Sequence, residues 1–125
     1  MTIEDLSRLY GACPQAGALV KVLAEPATRH IYIQGAQASA TPLLFASVAD
    51  RVAVPVVFIL PDADEAGYFY HDLTQIMGQE RVLFFPSSYR RSVRHGQRDA
   101  ANEILRTEVL GRLSSRSSGD VLYVV

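Results

Sequence analysis

A single cysteine, Cys13, excludes an internal disulfide, and no neighbour stands near it at metal-ligand spacing. It reads as a small apolar residue in a reducing environment. No apolar run approaches the ~20 residues needed to span a bilayer, and the N-terminus lacks the basic-then-apolar pattern of a secretory signal. The expected compartment is therefore the cytoplasm, with no membrane partner. An excess of one charge is missing too. Lys and Arg number 12 against 13 Asp and Glu, so the net charge of −1 gives no global attraction to nucleic acid or anionic lipid. Repeats, linkers and low-complexity segments are also lacking. What remains is an ordinary globular composition, 49% hydrophobic and 20% charged over 125 residues, enough for one domain with a real core.

Along the chain the pattern alternates between helix and strand. Thr2-Ile3-Glu4-Asp5 reads as a capping box opening a helix to about Ala12, and Pro14 sits at the first turn of a second helix ending near Ala24. Glu25-Pro26-Ala27-Thr28 breaks the chain before a first strand, His30 to Gln34. A helix is expected from about Thr41 to Val52, then a wholly apolar strand, Val56 to Leu60, which predicts burial on both faces. Asp62 is the expected N-cap of the next helix, with Glu65 three residues on; Asp62, Asp64 and Glu65 are read as capping and helix-dipole residues rather than metal ligands. That helix runs to Met77 and stops at Gly78. A third strand, Arg81 to Phe85, precedes a basic stretch. The last helix, about Asp99 to Ser115, carries Ala101, Leu105, Val109 and Leu113 on one face, and Asp120 to Val125 forms the final strand.

Strands separated by helices imply an α/β fold, a parallel sheet of about four strands with flanking helices. Residues 1–27 form a helical segment and 28–125 the α/β domain. The chain closes on apolar Val121-Leu122-Tyr123-Val124-Val125, which suggests a piece of a longer polypeptide.

The segment Ile31 to Leu44 occupies the place of a nucleotide-binding P-loop. That motif, G-x-x-x-x-G-K-[ST], wraps phosphate in backbone N–H groups, reaches it with Lys and holds magnesium through a hydroxyl. Here Gly35 alone survives: with Gly35 as the first glycine, Ala40 replaces the second, Thr41 the Lys and Pro42 the hydroxyl residue. The segment reads either as a degenerate phosphate loop or as a strand-to-helix turn that never bound phosphate. No cofactor is expected. Nor does a catalytic set assemble, since His30, His71 and His95 are scattered over a strand, a helix and a loop. His71, beside Tyr68-Phe69-Tyr70, is expected to be a partly buried helix residue.

Four of the 12 basic residues, Arg90, Arg91, Arg94 and Arg98, fall in one stretch with His95 and Gly96. This is the candidate interaction surface, either an interdomain contact or a solvated loop. Tyr89 is the only aromatic residue close by, too little for a single-strand stacking platform.

Five segments in order, Ile31-Tyr32-Ile33-Gln34-Gly35, Pro55 to Asp62 with Glu65-Ala66, Asp72-Leu73, Val82-Leu83-Phe84-Phe85-Pro86, and the Glu103 to Leu113 helix with Val121 to Val125, resemble the N-terminal region of bacterial transcription-repair coupling factor. The resemblance covers about residues 28–125. That region is similar to the first domain of the excision-repair protein UvrB, so the resemblance implies a P-loop NTPase-like fold with a degenerate phosphate loop. It further implies a parent that is an ATP-dependent DNA translocase, displacing stalled RNA polymerase and recruiting UvrA, with DNA held by a motor outside this chain. The implied partners are other domains of the same polypeptide, and UvrA and RNA polymerase through the full-length protein. Two departures matter. Ser87-Ser88-Tyr89-Arg90-Arg91-Ser92 replaces the acidic and aromatic Pro-Tyr segment usual after Phe-Phe-Pro, and the UvrA-binding part lies mostly beyond residue 125. The alternatives are a nucleotide-binding enzyme with an atypical loop, using Ser39 or Thr41 at the helix N-terminus, and a nucleic-acid module using the four arginines.

Overall fold

A computed structural model describes residues 1–87 and 99–125. Among them are five α-helices, α1 (Ile3–Ala12), α2 (Pro14–Ala24), α3 (Ala40–Val48), α4 (Ala63–Met77) and α5 (Ala100–Ser115), and three strands, β1 (Val56–Val57), β2 (Val82–Leu83) and β3 (Tyr123–Val124). A short 3-10 turn, Ala49–Arg51, follows α3. The expected helices are all present, because their start signals act locally. In α1 the Thr2 hydroxyl accepts from the Asp5 amide at 3.1 Å while the Asp5 carboxylate accepts from the Thr2 amide at 3.0 Å. The Thr2 amide, and then its hydroxyl, hold the Asp5 carboxyl below its ordinary pKa. Asp62 caps α4 through the Glu65 amide at 2.9 Å, and Gly78 ends it at φ +87°, a left-handed backbone that favours glycine.

The sheet is parallel with order β1-β3-β2, so the last strand in sequence is the central one. Backbone hydrogen bonds run beyond the two-residue pairings: Val56 N–H donates to Leu122 and Phe58 N–H to Val124 on one side, Tyr123 N–H to Arg81 and Val125 N–H to Leu83 on the other. Alternation along β3 divides the core into two layers. Tyr123 and Val125 face Leu73 of α4, Val82 and Ala49, with Phe45, Phe58 and Phe69 packed around them. Leu122 and Val124 face the opposite way with Leu83, onto Val109 and Leu113 of α5. Ala101, expected on that apolar face, is exposed instead.

Two strand expectations are overturned. The expected strand His30 to Gln34 does not form, and the described residues hold three strands where about four were expected. Ile31, Tyr32 and Ile33 stand 42%, 88% and 40% exposed, because β-branched and aromatic residues favour a strand only where a neighbouring edge supplies hydrogen bonds and packing. The segment has no such ladder. Nor is Val56 to Leu60 buried on both faces: Val57 is 62% and Ile59 92% exposed, while Phe58 packs into the core. β1 is an edge strand, and the α5 layer covers β3 and β2 without reaching it.

The first two helices lie against α3 through Ala16, Leu19, Leu44 and Val48, with half-buried Cys13 beside them. Gly11 allows the close approach of α1 to α3: a Cβ there would stand 3.3 Å from the Ser47 carbonyl oxygen.

Candidate functional site

Of the residues singled out from the sequence, Ser39, Ala40 and Thr41 stand at the N-terminus of α3, and Gly35 lies in the loop before it. Gly35 takes φ +91°, and Ala38 a left-handed φ of +48°, a backbone that disfavours a residue with a Cβ. Ser39 precedes the helix in a helical conformation and its side chain makes no capping hydrogen bond. An anion at a helix N-terminus needs free N–H groups. Here the Ala40 amide donates to the Gln37 carbonyl at 3.0 Å, the Thr41 amide to Ala38 at 3.4 Å and the Leu43 amide to Ser39 at 3.2 Å. Pro42, fully buried, has no N–H to offer. The leading turn of α3 has thus closed on itself.

The groove beside this turn, about 650 Å³, is lined on its far wall by Leu60, Tyr68 and Phe69, with Glu65 and Asp72 as its charged side chains. Two carboxylates and no cation make its field unfavourable for phosphate. Their placement follows from α4, whose residues 65, 68, 69 and 72 fall on one helical face. The chemistry available is a shallow apolar wall with acidic margins.

Other sequence-predicted residues do not join this site. Arg90, Arg91, Arg94 and Arg98, with Tyr89 and His95, lie outside the described residues. His30 and His71 are exposed on separate segments, so the expectation of a partly buried His71 is overturned: its position on α4 faces water while Leu73 and Thr74 face inward. Among the described residues no three His, Cys, Asp or Glu side chains gather to hold a metal ion, and no helix is long and apolar enough to cross a membrane.

A second concavity escaped sequence reading. It is a polar cleft of about 550 Å³ at the opposite end of the sheet, where Arg81 opens β2 and Arg112 and Arg116 close α5. Its only sequence signal was the spacing of four between Arg112 and Arg116, which meets Arg81 through tertiary folding alone.

The class that fold and groove define is a small α/β domain with a three-stranded parallel sheet between helical layers. No protein-family model matches the chain, and neither a curated protein nor a solved structure matches it.

Proposed function

We propose that this chain is a non-catalytic scaffold module, the counterpart of the UvrB-like N-terminal region of a transcription-repair coupling factor. In that reading it belongs to a larger ATP-dependent DNA translocase acting in nucleotide excision repair. It docks on other domains of the same polypeptide and restrains the motor, while the full-length protein displaces stalled RNA polymerase and recruits UvrA. The observation that carries the non-catalytic part is the α3 turn, where the amides of Ala40, Thr41 and Leu43 are spent on local carbonyls and Pro42 has none. Phosphate binding there would require breaking these bonds beside Glu65 and Asp72. The segmental resemblance over residues 28–125 supplies the family part of the proposal.

The test is an amide-resolved titration of the chain with Mg-ATP. Unmoved resonances for Ser39, Ala40, Thr41 and Leu43 at millimolar nucleotide are expected. Saturable, magnesium-dependent shifts at those amides would replace the scaffold reading with a nucleotide-binding enzyme that uses an atypical loop.

A further inference from the structure

We propose that the groove between α3 and α4 is a docking face whose occupant is a basic amphipathic helix from another domain of the polypeptide, with an apolar residue between two cations that stand two turns apart. This occupant rests on the scaffold reading, in which the module packs against its neighbours. The groove wall is apolar, formed by Pro42, Leu60 and Phe69, and it is continued by Tyr68, which is 76% exposed. An aromatic ring left in water beside an apolar wall is the type of side chain that anchors interfaces. Glu65 and Asp72 flank Tyr68 on the same face of α4, about 10 Å apart along the helix axis.

Neither carboxylate forms an ion pair among the described residues. α3 carries no charged residue and α4 no lysine or arginine, so neither wall supplies a fixed cation to balance them. The helix macrodipole accounts for Asp64 and Glu65 in the first turn of α4. It does not account for Asp72, well past that turn, or for the exposed tyrosine between the two acids. Charge complementarity therefore sets the chemistry of the occupant: cations opposite Glu65 and Asp72, and an apolar side chain on Leu60 and Phe69. A helix laid along α4 repeats the carboxylate spacing in its own two turns. Arginine as the cation gains further attraction from the face of the Tyr68 ring.

The experiment titrates the whole chain with a stapled helical peptide that bears two arginines two turns apart and a leucine between them, and follows the backbone amide resonances. Saturable shifts at Leu60, Tyr68, Phe69 and Asp72 are expected, with affinity about tenfold lower in Asp72→Asn and falling further as salt is raised. Tyr68→Ala should weaken the peptide similarly, and because it alters an exposed side chain it carries the same test should Asp72→Asn not fold. An absence of saturable shifts at these amides would overturn the assignment. So would an equal response to free arginine or to the peptide with serine in place of leucine, since either is charge attraction alone. Shifts at the same amides on concentrating the chain by itself would give the face to a second copy instead. Mg-ATP shifts at Ala40 and Leu43 decide the scaffold reading and peptide shifts at Tyr68 and Asp72 decide the occupant, so either can fail alone.

Discussion

Tyr123 lies in the middle of the central strand, 2% exposed, with its hydroxyl donating to the Phe45 carbonyl at 2.9 Å. Its ring sits 5.4 Å from that of Phe58, at a steep angle, and Phe58 in turn meets Phe45 and Phe69. Burial pushes its pKa up to about 12, with Arg81 opposing and Asp50 adding to the rise. A phenol raised in the folded state stays protonated after its unfolded counterpart has ionised. Its stabilising effect is complete below pH ~10 and is lost as pH climbs toward ~12, at about 1.4 kcal/mol per pH unit. Urea midpoints measured from about pH 9 to about pH 12 should fall in the native chain and flatten in Tyr123→Phe. Equal slopes in both would mean that another group governs alkaline unfolding.

At the scale of elements, α4 and β1 show how burial, not composition, sets energetic weight. Leu73 on α4 is fully buried between the sheet and α3, whereas Ile59 just past β1 is 92% exposed. Leu73→Ala removes transferred surface and leaves a cavity, an expected loss of about 3 kcal/mol. Ile59→Ala should change stability by less than about 0.5 kcal/mol, because so exposed a side chain gains few contacts on folding. Chemical denaturation of the two variants checks the pair. A comparable cost for Ile59→Ala would show that β1 is covered in solution. The opposite helical layer is tied down differently: Asn102, Arg106 and Arg112 of α5 donate to the carbonyls of Ser87, Pro86 and Glu80, and the Arg106 guanidinium lies 4.2 Å from the Phe85 ring centroid. α5 therefore holds to the β2 segment by polar contacts along its length as well as by Val109 and Leu113.

For the molecule as a whole, cohesion converges on the last strand. β3 is bonded on both sides and faces both helical layers, so opening it requires the sheet and both cores to separate. Amide hydrogen exchange should show Tyr123, Val125 and Phe58 as the slowest group, with Ile31, Tyr32 and Ile33 exchanging fastest for want of a ladder. Protection at residues 31–33 approaching that of β3 would mean that they have joined the sheet as a fourth strand.

The sequence by itself determined the helices, and the ends of α1, α2 and α4 in particular, because the Thr2–Asp5 box, Pro14, Asp62 and Gly78 act within a turn of the backbone they shape. It also determined the alternation that makes the sheet parallel, and it places Ala40, Thr41 and Pro42, rather than glycine, lysine and a hydroxyl residue, at the α3 turn. Tertiary structure alone decided that Ile31-Tyr32-Ile33 stays outside the sheet and that Val57 and Ile59 face water, since strand formation depends on which edge is near and which helix covers it. It likewise decided the cleft, whose lining brings Arg81 together with Arg112 and Arg116 from a distant part of the chain. Helical signals are local and can be read in order; edges, faces and charge clusters are long-range and exist only once the chain has closed around them.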